Sequence, residues 1–271
     1  MIPSSAILDV LRFEPVRLRH RKGTLFMFAG VIGAFALAAK AGVWLHAKFL
    51  EEGGVTAGAM EGAAAAVLDY PAHLPPVLAG CLYAAAIFLP MVVIILASDQ
   101  TATDLRQRHA PFILARVSAA DFFFGRLLGA TLTWTFVVLL SSIVAAVIML
   151  TESTGLELGA AITGVAHIAL VLTIYALPYI ALLALGNVIT QSPMGSMIGV
   201  FCLLIAVTWI GAATETLGPW VEHADILYPS HWRPMLLSGD PATFAEGAGG
   251  ALVYTLVIAL AGSWRLGRVT P

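Results

Sequence analysis

Charge is scarce in this chain. Of 271 residues only 11% are Asp, Glu, Lys or Arg, while 59% are hydrophobic. Soluble domains carry roughly 25% charged residues, so a water-soluble enzyme is excluded as the starting reading and a polytopic membrane protein replaces it. The mean hydropathy, +0.91, agrees. Cysteine is scarcer still: Cys81 and Cys202 both fall inside apolar runs, where thiols act as small hydrophobes rather than as a disulfide or a metal pair. The GxxxxGK(S/T) phosphate loop is missing, so the chain is not expected to hydrolyse ATP itself. Paired acids or a HExxH inside the apolar runs, which an intramembrane protease needs, are missing too. No catalytic group stands out, no cofactor is expected in the chain, and no nucleic acid is expected among its partners.

What the chain does have is length of apolar sequence. Six runs reach or approach the ~20 residues that cross a ~30 Å hydrocarbon layer: 24–45, 77–97, 122–150, 160–189, 194–213 and 248–266. The expected fold is therefore all-α, a single transmembrane domain over 1–271 with six spans. The third and fourth runs exceed the bilayer thickness and should tilt, kink or protrude; Pro90 and Pro178 mark the kink points. Residues 4–22 mix Ile7, Leu8, Val10, Leu11 and Phe13 with five basic residues, which suits an amphipathic helix lying on the inner membrane face or a plain basic anchor. The opening residues are polar and mixed, so no cleavable signal peptide is expected.

The few charges are sorted by side. Eleven of the fourteen Lys and Arg lie before the first run, in the central stretch 98–129, or at the C-terminal end (Arg265, Arg268), whereas eleven of the sixteen acids lie in the alternate loops. Loops that retain Lys and Arg stay in the cytoplasm. Both termini and the loop between runs two and three are thus expected inside a cell membrane. The outer loop 214–247 carries Trp220, Tyr228 and Trp232 among several Pro and Gly, and short helices dipping into the outer leaflet are expected there. It also collects Glu215, Glu222, His223, Asp225 and His231, but without compact ligand spacing, so no metal site is assigned.

Residues 98–129 form the longest charged island between apolar runs, with Asp99, Asp104, Arg106, Arg108, Arg116, Asp121 and Arg126. Thr101-Ala-Thr-Asp104 and Ser118-Ala-Ala-Asp121 both fit the capping-box pattern. Asp104 and Arg108 are spaced for a helical ion pair with the acid first. Pro111 ends the short helix, and Leu105, Phe112 and Ile113 are available to face membrane or partner. Over 98–121 the island reads as a helix–turn docking element, or as a solvated inner loop whose arginines only set topology.

Its order of residues resembles the permeases of the ABC-2 type transporter family. Gly125-Arg126-Leu127-Leu128-Gly129 stands at the head of span three, Val117-Ser118 and Phe112-Ile113 fall in register before it, and Asp99 and Asp104 supply the acidic start. Gln107-Arg108 stands where Gly-Thr is usual, and Arg116 where Pro is usual. The likeness extends more weakly to the basic N-terminal segment and to Tyr228–Trp232 before the last span. It implies a permease subunit, an exporter rather than an importer, that works as a dimer with a second permease copy. It also implies a separate ATP-binding subunit, carrying ATP and Mg, docked under the island. Asp99, Asp104, Arg106, Arg108, Phe112, Arg116, Asp121 and Arg126 would then be the coupling residues. The alternative is a membrane anchor or sensor that scaffolds a cytoplasmic partner without moving a substrate.

Four polar groups lie at depth in the spans: Lys40, His167, Asn187 and Thr208. Lys40 is expected to snorkel toward the interface, and the other three to hydrogen-bond between helices; a substrate pathway is the other reading of all four.

Overall fold

The computed structural model describes residues 22–51, 74–98, 101–106, 113–152, 157–212 and 224–269. The amphipathic segment expected over 4–22 lies outside them except for Lys22, as does the Gly- and Ala-rich stretch 52–73. Among the described residues the chain is all-helical, without strands. In order come α1 (Lys22–Glu51), α2 (Pro76–Ala97), α3 (Ala102–Arg106), α4 (Ala119–Glu152), α5 (Leu158–Thr190) and α6 (Pro193–Ala212). Two 3-10 turns (Ala224–Leu227 and Pro229–Trp232), α7 (Arg233–Leu236) and α8 (Pro241–Val269) follow. Five of these, α1, α2, α4, α5 and α8, are long and apolar enough to cross a membrane, which makes the chain a multi-pass membrane protein. The outward faces agree: Phe26, Trp209 and Leu37 are 83%, 74% and 71% exposed, more apolar surface than water would tolerate on a monomer.

α5 is the axis of the bundle, packing against α2, α4, α6 and α8. Its sequence explains the position: small residues (Ala176, Ala181, Ala184) and Pro178 alternate with Ile and Leu around the helix, so no face is polar and several sides are buried. Tyr175 and Tyr179 lie at its centre, edge to face with ring centroids 5.5 Å apart and hydroxyls 3.2 Å apart. Both are almost fully buried. α4 is tied to α5 by polar contacts that lipid makes worth having. The Trp134 indole N–H donates to the Leu172 carbonyl at 3.2 Å, and the Thr173 hydroxyl to that of Thr135 at 3.3 Å.

The last helix starts earlier than its apolar run suggests. α8 begins at Pro241, not near residue 248. Asp240 caps it, accepting the Thr243 hydroxyl at 2.7 Å and the Thr243 N–H at 2.9 Å, with Pro241 in the first turn, where its missing N–H costs nothing. These two bonds hold the Asp240 carboxyl below the ordinary carboxylate range. The loop before α8 therefore ends at residue 240, and its described part holds the two 3-10 turns and α7. They enter the bundle: the Tyr254 hydroxyl donates to the Leu227 carbonyl at 3.0 Å, and Ser230 comes beside Tyr179. The Trp232 ring lies directly over Gly250, ~14 Å along α8 from its start at the usual helical rise.

That last contact requires glycine, because a Cβ at Gly250 would stand 2.2 Å from Trp232 Cζ3, whereas Gly249 beside it faces open space. Gly250→Ala is expected to destabilise the protein by about 1–3 kcal/mol through overpacking, read as a lower Tm in detergent. Gly249→Ala should leave Tm unchanged or slightly raised.

Candidate coupling site at the island end of the bundle

At the second capping pattern of the island Ser118 caps the helix, with Asp121 reaching back to the Ser118 hydroxyl rather than to its N–H. The Ser118 hydroxyl accepts the Asp121 N–H at 3.1 Å and donates to the Asp121 carboxylate at 2.7 Å, while the Ser118 carbonyl accepts the Phe122 N–H at 2.9 Å. α4 is therefore started by its own sequence, with an acid in the first turn where the helix dipole favours it. Ahead of it, a turn closes between Ile113 and Val117 (N–H to carbonyl, 3.0 Å) and presents Arg116 exposed.

The first box behaves differently. The Thr101 carbonyl accepts the Leu105 N–H at 3.0 Å, so α3 begins where expected. The Thr101 hydroxyl is fully buried without a hydrogen-bond partner among the described residues. Asp104 turns away from it and across the loop: Arg126 Nη2 donates to its Oδ2 at 2.5 Å, with side chains only 14% and 10% exposed. The guanidinium also sits over the Phe122 ring, 5.4 Å from its centroid, a favourable placement for a cation. The expected partner Arg108 lies outside the described residues, so Arg126 is the partner the structure gives to Asp104. Arg126, expected as part of the docking surface, is thus a buried anchor between α3 and α4.

Other ties converge on the same end. The Ser196 hydroxyl donates to the Ser98 carbonyl at 3.2 Å, joining the start of α6 to the end of α2. α3 packs on α5, and Leu105, Ile113, Leu114 and Val117 lie partly buried against the core. The island is folded into the bundle, with Arg116 on its outside and the Asp104–Arg126 pair within. Asp99, Arg108 and Phe112 lie outside the described residues, as does the side chain of Arg106.

The four deep polar groups are not brought together. Lys40 does not merely snorkel; its Nζ lies 3.3 Å from the Glu152 carboxylate, joining α1 to α4 at the opposite end of the bundle. At 62% and 40% side-chain exposure such a pair contributes at most about 1 kcal/mol. The His167 ring lies tilted against Phe244, centroids 6.3 Å apart, where α5 meets α8. Asn187, fully buried near the island end of α5, has neither amide atom bonded among the described residues. Thr208 spends its hydroxyl on the Leu204 carbonyl of its own helix at 2.8 Å. Cys81 is buried and Cys202 exposed, both free. Among the described residues no three His, Cys, Asp or Glu cluster as metal ligands.

Removing one partner of the Asp104–Arg126 pair leaves the other buried and uncompensated. Asp104→Ala and Arg126→Met are each expected to cost about 3 kcal/mol. The double variant should cost much less than the sum, since it leaves no lone charge. A double-mutant cycle on chemical or thermal unfolding in detergent checks this; additive costs would show that the two side chains do not act together. The chain matches no known protein-family model, and no curated protein matches it.

Proposed function

We propose that this chain is the transmembrane permease subunit of an ATP-driven exporter of the ABC-2 type. It would work as a dimer with a second permease copy, over two copies of a separate ATP-binding subunit that holds ATP and Mg. The observation that carries the reading is the Asp104–Arg126 pair. It fastens the short helix α3 to the head of α4, and α3 rests on the central helix α5. A push on this element would therefore reach two spans at once instead of being absorbed by a slack loop. Arg116, exposed on the same segment, together with Arg106 and Arg108 offers the charge a cytoplasmic partner would read. ATP can move the spans through this contact only if the partner grips the island differently in its open and closed forms.

The reading takes α6 as the sixth span. Its 20 residues reach ~30 Å at the helical rise, enough for the hydrocarbon layer. On this reading six spans, with the Lys and Arg bias, would leave both termini and the island in the cytoplasm of a cell-membrane protein. The alternative, an anchor or sensor, shares the docking but lacks the transmission.

The test uses Arg116, which is exposed, with Arg106 and Arg108, because reversing Asp104 would break the buried pair and confuse unfolding with loss of docking. Arg106→Glu, Arg108→Glu and Arg116→Glu together should abolish co-purification with an ATP-binding subunit, without lowering Tm. Retained association would overturn the proposal. In the assembled complex Asn187→Leu should change the ATPase rate; a rate indifferent to it supports the anchor reading.

A further inference from the structure

A cavity of about 400 Å³ opens between α1 and α2, with Trp134 of α4 and Leu172 of α5 as its floor. Ala34 and Ala38 on one side and Ala84 and Ala85 on the other leave the space that larger side chains would fill. No charge, hydroxyl or amide lines it, and the Trp134 N–H is already bonded to the Leu172 carbonyl. The two helices touch above it: Gly42 is bare, and a Cβ there would stand 2.7 Å from Val77 Cγ1. From that contact they diverge around the cavity.

Its depth identifies the surroundings. The cavity touches α1 between Val31 and Ala38, in the middle of the apolar stretch Leu25–Trp44, and α2 between Cys81 and Val92, in the middle of that span. Phe88 belongs to the lining and is 65% exposed, so the mouth faces outward, into hydrocarbon. Water does not fill an apolar void of this kind, and leaving it empty forfeits the dispersion contacts of every lining atom. An occupant with a polar end would find no partner at this depth.

We propose that the cavity is a binding site for the acyl chain of a bilayer lipid, which completes the packing between α1 and α2. This is independent of the transport reading and is tested without any ATP-binding subunit. Trp134 is 6% exposed and lines the cavity, so a quencher held in the cavity lies against its ring. The full chain is reconstituted in phosphatidylcholine vesicles with or without bromines at mid-chain, and the Trp134 emission is taken as the difference between wild type and Trp134→Phe. Quenching of that component by the brominated lipid, and its loss in Ala85→Leu or Ala38→Phe, is the expected result. A Trp134 component of equal intensity in both vesicles overturns the proposal, including the case in which a second copy of the chain fills the space. As a check free of tryptophan substitution, phospholipid should survive mild delipidation of wild type and be lost from Ala85→Leu; equal retention by both would also overturn it.

Discussion

A guanidinium and a carboxylate meet at the island end of the bundle with little water around either, and the arrangement of that end depends on them. Stripping two ions of water costs several kcal/mol each, which their attraction recovers only with good geometry and further partners. Here Arg126 has both Asp104 and the Phe122 ring. Such a pair adds little net stability over two apolar residues, yet it is intolerant of separation, since either charge alone would be stranded. Its effect is positional: α3 cannot leave α4 without exposing that cost. The hydrophobic contacts of Leu105, Ile113, Leu114 and Val117 supply attraction, but they are not directional and would accept several placements of the island.

The contrast between the two capping boxes shows what a local pattern can and cannot say. Ser118 and Asp121 join as cap and partner, hydroxyl to N–H and hydroxyl to carboxylate, because every atom involved lies within one helical turn. Thr101 and Asp104 have the same spacing, but a charged donor twenty-two residues on takes the carboxylate away. Nothing near Asp104 in sequence announces that. Arg126 itself was legible only in part. Its neighbours Gly125 and Leu127, and Phe122 one turn back, are all buried, and a cation inside so apolar a segment is a candidate for burial as much as for docking. The Lys40–Glu152 pair joins residues still farther apart and is invisible to any local reading.

Spans, by contrast, were legible because lipid imposes them: a long uncharged run has few other ways to satisfy its backbone. The ends were less so. Pro241 to Gly247 reads as polar loop, and only the Asp240–Thr243 cap with Pro241 in the first turn shows that the helix has already begun. That signal was present in the sequence at the same spacing as the Ser118 box. The insertion of Trp232 against Gly250 was not legible. Gly250 sits in the run Ala248-Gly249-Gly250-Ala251, where nothing distinguishes the glycine under the ring from the one beside it that faces open space.

Both ends of the bundle hold buried polar atoms without a hydrogen bond among the described residues, the Trp232 indole nitrogen at one and the Thr101 hydroxyl and Asn187 amide at the other, but the ties around them differ. At the end away from the island the short helices are seated by a tyrosine hydroxyl, a tryptophan ring and a capped helix start. At the island end the Thr101 hydroxyl and both amide atoms of Asn187 are buried without hydrogen bonds among the described residues, and each such group costs about 1–3 kcal/mol relative to a satisfied one. A shift of α3 against α5 that gave either group a partner would recover part of that cost. The Asp104–Arg126 pair would meanwhile carry α4 along. The end proposed to receive a partner's motion thus combines a rigid link with a packing that a second arrangement could improve, and those are the two properties that a bistable coupling element requires.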